Sequence, residues 1–162
     1  MKMFLKTLSI LLKRFFQANF TSEESNILPK ILSEKEFVSR FCFKRDFYGE
    51  TGNPKTHVFL PELYQEKYET SVCRKTNLTE ERIWEISKIV EKSRAKVVIG
   101  RADLGVSVVL EKGLAAEAAP ENYPEHSIII GWPAGEEETA KAKRKSIAQD
   151  LAYGAKSIKL PN

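Results

Sequence analysis

An arginine and an aspartate stand two residues apart in a run of β-forming residues, at Arg101 and Asp103 of "AKVVIGRADLGVSVVL". Because side chains alternate along a strand, both point to the same face. Arginine offers a planar fork for phosphate or carboxylate, and aspartate serves as a general base or metal ligand. His126, which opens the apolar run "HSIII", is the third candidate. The three residues predict a catalytic or anion-binding site at one end of a sheet.

A purely structural interpretation of the same pair stays open. Val97 and Ile99 share the face of Arg101 and Asp103, so this face begins apolar and ends charged. Such a strand leaves the core as it runs and carries its last charges to solvent at the rim of the sheet. The two charges then form a local ion pair, which contributes about 0–1 kcal/mol when exposed.

Several other chemistries are not favoured by the sequence. Neither His57 nor His126 has a hydroxyl residue two positions later, as a two-histidine phosphoesterase needs, and no Walker loop, GxGxxG, HExxH or EF-hand loop occurs. A nucleophile set of Cys73, His126 and Asp103 can be drawn, but any chain with these residue types allows one. Cys42 and Cys73 lack a CxxC pairing and are expected to be buried thiols. We predict no cofactor and no metal.

The size and composition indicate one ordinary globular domain. The chain has 162 residues, of which 42% are hydrophobic and 30% charged, and its formal net charge is +4. This mildly basic balance permits contact with nucleic acid or an anionic membrane but requires neither. No apolar stretch approaches the ~20 residues that span a bilayer, so no transmembrane segment is predicted. Lysines interrupt the apolar N-terminus and no cleavage site follows, so we expect a cytoplasmic protein without a leader.

The first twenty residues have the pattern of an amphipathic basic helix. Its apolar face carries Phe4, Leu5, Leu8, Leu11, Leu12, Phe15 and Phe16. Lys2, Lys6 and Lys13 lie opposite. We expect this face to contact a protein partner or a second copy, and a membrane surface is less favoured. Residues 21–34 are predicted to be a linker, and residues 35–162 a single domain.

The periodicity of that domain predicts alternating strands and helices. Strands are expected in "EFVSRFCFKR", "THVFLP", "YETSVCRK", "AKVVIGRADLGVSVVLEKG" (bent at Gly105), "LAAEAAPENYPE", "HSIIIGWP" and "IKLP". Helices are expected in "NLTEERIWEISKIVEKS", with Thr79 as its N-cap, and in "GEEETAKAKRKSIAQDLAYGAKS". The order predicts an α+β fold, with an antiparallel sheet, both main helices on one face and the N-terminal helix in addition.

Two further features bear on binding. Trp84 lies off the apolar stripe of its helix, so it either covers the rim of the core or marks a contact surface, where tryptophan is enriched. The run "KAKRKS", from Lys141 to Ser146, is basic, but its charges scatter around the helix. A solvated helix face is the better interpretation, with Arg144 snorkelling or paired to an acidic residue.

Three segments, "LTEERIWEI", "GRADL" and "EHSIIIGWP", are followed by a lysine-rich final helix. Together they resemble a group of small uncharacterised bacterial proteins. The resemblance covers about Phe37 to Pro161 and leaves out the N-terminal helix. It implies no activity, and it suggests that the basic helix is an addition to the domain.

Three functions stay open at this point. The first is a non-catalytic accessory module that docks on a larger partner through Trp84 and the N-terminal helix. The second is an enzyme or ligand-binding domain that acts on a phosphate or other anionic group near Arg101, Asp103 and His126. The third is nucleic-acid binding through scattered lysines and arginines, which a continuous basic stripe with stacked aromatics would favour.

Overall fold

The computed structural model of the protein describes residues 29–43 and 52–161. This part of the chain forms seven strands and three α-helices. The strands are β1 (Phe37–Phe43), β2 (Glu62–Tyr64), β3 (Lys67–Arg74), β4 (Val98–Gly105), β5 (Ala115–Ala118), β6 (His126–Ile130) and β7 (Lys156–Lys159). The helices are α1 (Glu80–Arg94), α2 (Val106–Glu111) and α3 (Glu138–Gly154). None of them is long and apolar enough to cross a membrane.

The strands form an antiparallel sheet in the order β5-β6-β3-β1-β4-β7, and β2 pairs with β3 outside this path. The predicted α+β class with an antiparallel sheet is therefore confirmed. β1 pairs with β4 along its whole length. It pairs with β3 at only two positions, Val38 with Arg74 and Ser39 with Cys73. Beyond Ser39 the ladder between these two central strands stops.

The two main helices lie on opposite faces of the sheet. Cys42 of β1 belongs to a core that includes Ala148 and Leu151 of α3. Its neighbour Phe41 belongs to a second core with Ile86 of α1. Adjacent residues of a strand point to opposite faces, so the sheet lies between α1 and α3. The expectation that both helices share one face is wrong, because the central strands are buried on both sides.

Two predicted strands are replaced by helical turns. "THVFLP" holds a 3-10 turn at Thr56–Val58, whose hydrogen bonds close locally, for example from the Phe59 amide to the Thr56 carbonyl. The strand predicted through Gly105 ends there, and α2 follows. Val106 and Val109 are buried three residues apart on one side of α2, so tertiary packing overrides their β-propensity. The short strands predicted in "LAAEAAPENYPE" and "IKLP" are present as β5 and β7.

The end of the predicted linker packs against the domain. Leu32 is buried in the core beside α3, and Ile31 forms a bridge with Glu117 of β5. Residues 29–34 therefore belong to the domain rather than to a free linker. The predicted N-terminal helix, with Phe4, Leu8, Leu11 and Phe15, lies outside the described residues and stays a prediction.

Helix α1 begins where the sequence predicts. The Thr79 hydroxyl accepts a hydrogen bond from the Arg82 amide at 3.2 Å, and Glu80 and Glu81 occupy the first turn. Replacing Thr79 with alanine is expected to lower the free energy of unfolding by about 1 kcal/mol, because the first turn of the helix loses a partner for its amide groups. Urea denaturation measures this loss. Thr79→Ser keeps the hydroxyl and is the control; an equal loss in both variants would contradict the capping role.

Candidate functional site

Arg101 is fully buried, with 0% of its surface exposed. Its fork is occupied by two carboxylates: Glu80 accepts from Nη1 and Nη2 at 2.8 and 2.9 Å, and Asp103 from Nε at 2.9 Å. The Trp84 ring lies against the guanidinium, with its centroid 4.7 Å from Cζ. Arg101 therefore has no donor directed at a ligand. The ion pair with Asp103 is present, but it is buried and not at a solvent-exposed rim.

Asp103 is equally saturated. Besides Arg101 it accepts from the Ser39 hydroxyl at 2.6 Å and the Lys75 ammonium at 2.5 Å. Burial alone would raise the pKa of Asp103, but the hydrogen bonds from Arg101, Lys75 and Ser39 outweigh it, and the pKa is lowered. A carboxylate with three donors and a lowered pKa is a poor general base. The Arg101–Asp103 pair thus acts as a structural link between β4, β1 and α1.

His126 lies in the same row of the sheet as Asp103 but in a separate network. The register pairs His126 with Cys73, Cys73 with Ser39, and Ser39 with Asp103. Three strand spacings of ~4.8 Å separate the outer two backbones, so they lie about 14 Å apart, beyond direct hydrogen-bond reach. The three predicted site residues therefore do not form one cluster.

The imidazole of His126 contacts one group in or beside each of the two strands that flank β6. Nδ1 lies 2.5 Å from the Ala119 carbonyl oxygen, which only accepts, so Nδ1 carries the proton. Nε2 faces the Ser71 hydroxyl at 3.4 Å. Burial lowers the pKa of His126, and this outweighs the Ala119 contact that raises it. His126 is therefore a neutral histidine at pH 7.

A groove of about 200 Å³ lies beside His126, between the second half of α1 and the sheet. It lies where the β1–β3 ladder has stopped. We call it the α1 groove. Its charged lining residues are Arg40, Glu62, Arg94 and Lys96; its apolar ones include Phe41, Phe43, Ile89 and Val90; its polar ones include Ser71, Asn122, Tyr123 and His126. Neither Arg101 nor Asp103 lines it.

Arg40 is fixed at the point where β1 and β3 separate. Its Nη1 donates to the Ser71 carbonyl of β3 at 2.6 Å, and its Nε donates to the Val58 carbonyl at 3.2 Å. The side chain thereby satisfies a β3 carbonyl that the β1 ladder does not reach. Nη2 lies 3.4 Å from Oε1 of Glu62, and both residues line the groove.

Glu62 bridges two guanidinium groups. Its Oε2 lies 3.1 Å from Nη1 of Arg94, and its Oε1 lies 3.4 Å from Nη2 of Arg40. Burial would raise the pKa of Glu62, but the bonds and charges of Arg94 and Arg40 outweigh it, and the pKa is lowered. Burial lowers the pKa of Arg40; Glu62 opposes this effect and the neighbouring Arg94 adds to it. Two cations thus share a single carboxylate.

Lys96 adds a third cation to the groove. Its Nζ lies 5.6 Å from the centroid of the Phe43 ring, in a cation–π contact with an apolar lining residue. The α1 groove therefore holds three cationic side chains and one carboxylate. These four side chains leave an excess of two positive charges, and His57 and His126 also line the groove.

Local sequence patterns carry little signal for this groove. Arg40 reads as the solvent side of a half-buried strand, and Arg94 and Lys96 as ordinary charges near a helix C-terminus. Their convergence depends on strand order, which local patterns do not contain. His126 was found because a histidine at a strand entrance is conspicuous, although its predicted partners were wrong.

The remaining candidates have structural surroundings. Trp84 is half-buried and covers Arg101, so in the described part of the chain it packs at the rim of the core. Cys42 and Cys73 are buried thiols, as predicted, and burial raises the pKa of Cys73 to about 12. Among residues 29–43 and 52–161, no group of three histidine, cysteine or acidic residues is placed to hold a metal ion.

Comparison of the chain with protein-family models, curated proteins and solved structures finds no match in any of the three.

Proposed function

We propose that the domain binds a small anionic ligand in the α1 groove. The observation that supports this proposal is the convergence of Arg40, Arg94 and Lys96 on a cavity that contains a single carboxylate. In a partly enclosed site, uncompensated positive charge attracts an anion more strongly than it does on an open surface. The anion-binding function expected near Arg101 and Asp103 is thus moved to a different pair of arginines, and His126 stays beside it.

The proposal is for binding, and no reaction is assigned. Burial raises the pKa of Tyr123 and lowers that of His126, so both groups are neutral at pH 7. The ring of Tyr123 stands edge-on to that of His126, with centroids 5.3 Å apart. Neutral polar groups beside the cations can orient a ligand by hydrogen bonds without adding charge.

The test is a titration of the protein with small anions at low ionic strength, in which changes in the amide chemical shifts report binding. Replacing Arg94 with glutamine is expected to weaken binding about tenfold, because a charge-assisted donor to the anion is lost. Lys92→Gln removes the same charge from the same end of α1 but outside the groove. This control should change affinity less than about twofold, since exposed charges are screened. Equal losses in both variants would indicate non-specific attraction, and the absence of any binding would overturn the proposal.

Docking on a larger protein, the first function expected from the sequence, is our second proposal. One observation favours it: Leu63 and Tyr64, on the outer strand β2, are 59% and 50% exposed. Consecutive exposed apolar residues on an outer strand offer both backbone groups and side chains to a partner. A docking surface at β2 does not require Arg94, so the anion titration separates the two proposals.

A further inference from the structure

The geometry points to an aromatic carboxylate as the ligand of the α1 groove, with the Glu62 side chain as a built-in stand-in for the ligand's carboxylate. The inference rests on the proposed function and names its ligand class. An incoming carboxylate would displace Glu62 from Arg40 and Arg94 and place an apolar ring against the wall of the groove.

A carboxylate, that of Glu62, already contacts two of the cations of the groove. Glu62 accepts from Arg40 through Oε1 at 3.4 Å, and from Arg94 through Oε2 at 3.1 Å and Oε1 at 3.4 Å. Well-formed N–H···O bonds to carboxylates are shorter, at about 2.7–2.9 Å. The two arginines are therefore spaced to share a carboxylate, but Glu62 fills the position loosely.

The Glu62 side chain can be displaced from the two arginines. Its side chain is 57% exposed, so its ion pairs contribute little and exchange readily with a competing anion. β2 has three residues and pairs only with β3 among the described strands. The hairpin turn uses Gln65 and Glu66 at φ 45° and 66°, a left-handed conformation that non-glycine residues rarely adopt. Withdrawal of β2 would break its pairing with β3 and leave the pairing of β3 with β1 and β6 in place.

Apolar side chains form one wall of the groove beside the cations. Phe41 and Phe43 from the sheet and Ile89 and Val90 from α1 line the same groove as the guanidiniums. Hydroxyl groups placed against these four side chains would leave hydrogen bonds unmade, so this wall favours an apolar part of a ligand. An aromatic ring would instead bury apolar area and stack with its edge or face toward phenylalanine.

The volume of the groove limits the size of its ligand. The groove of about 200 Å³ is smaller than the ~300–1,000 Å³ of pockets for drug-sized ligands. One ring with one carboxylate therefore suits it better than a nucleotide or a polypeptide segment. Benzoate is the simplest probe of this class, inorganic phosphate tests the anion alone, and benzyl alcohol tests the ring without the charge.

The experiment titrates these three probes into the wild-type protein and into Glu62→Gln. The variant removes the competing charge, so benzoate affinity is expected to rise about fivefold, as for the loss of two exposed ion pairs. Glu69→Gln is the matched control: Glu69 faces Glu62 across the hairpin, so the variant removes a neighbouring carboxylate that does not bridge Arg40 and Arg94. It should change affinity less than about twofold. Benzyl alcohol should bind far more weakly than benzoate.

The outcomes separate the two proposals. If phosphate binds and Arg94→Gln weakens it, but benzoate binds no better than phosphate, the ligand class is wrong and the anion site stands. If Glu62→Gln leaves benzoate affinity unchanged or lowers it, the stand-in role is wrong. If neither benzoate nor phosphate binds the wild type or Glu62→Gln, the proposed function fails and the inference fails with it. Glu62→Ala repeats the test with a side chain that cannot bond to either arginine.

Discussion

Replacing Asp103 with leucine is expected to lower the free energy of unfolding by about 3 kcal/mol, because it leaves the buried guanidinium of Arg101 short of a counter-charge. Arg101 is completely buried, and Asp103 accepts two of its hydrogen bonds, from Nε and Nη2. Glu80 remains as a partner, but its carboxylate is half in solvent and compensates less. Chemical denaturation monitored by tryptophan fluorescence measures the loss.

A double replacement tests whether the loss comes from an unpaired buried charge. Arg101→Met combined with Asp103→Leu removes both charges, and it should be more stable than Asp103→Leu alone. Glu80→Gln, which neutralises the exposed carboxylate beside Arg101, is the control. It should lower the free energy of unfolding by less than about 1 kcal/mol. If the double variant loses as much as the two single variants together, the ion pair contributes no coupling and the interpretation is wrong.

Local patterns predicted the elements of this fold better than their arrangement. Helix α1 was predicted to its first residue because Thr79, the acidic first turn and the apolar spacing all lie within one short window. The side of the sheet that each helix covers depends on contacts between distant segments. β1 looked half-buried because Arg40 and Lys44 alternate with phenylalanines, yet Arg40 donates to backbone carbonyls instead of facing water.

The difference between local patterns and distant contacts also explains which features of the candidate site were predicted. The Arg101–Asp103 spacing was visible in the sequence, and the ion pair it predicts is present. Its burial was not visible, because Glu80 and Lys75 complete the network from other elements. Arg101 and Asp103 therefore form a structural link, whereas the α1 groove requires Arg40 of β1 to meet Arg94 and Lys96 at the end of α1.

The Glu36–Arg74 ion pair makes stability depend on acid pH. Glu36 accepts from Arg74 Nε at 2.7 Å, from the Thr76 hydroxyl at 2.5 Å and from the Ser33 amide at 2.8 Å. Burial would raise the pKa of Glu36, but these bonds outweigh it and lower the pKa to about 2 from its usual 4.5. A carboxyl group whose pKa is lower when folded stabilises the protein above its unfolded pKa. That stability is lost as the pH falls from about 5 toward 2.

Glu36→Gln is therefore expected to cost about 3 kcal/mol at pH 7, since each pKa unit corresponds to ~1.36 kcal/mol. The difference between wild type and variant should shrink to below about 1 kcal/mol near pH 2, where the wild-type carboxyl group also becomes neutral. Urea denaturation at a series of pH values measures both proteins. Other carboxyl groups with lowered pKa values, such as Glu80 and Asp103, destabilise both alike and cancel in the difference. Glu34→Gln, a change at an exposed neighbour, is the control and should change stability by less than about 0.5 kcal/mol. A Glu36→Gln gap that is constant with pH would contradict the ion-pair mechanism.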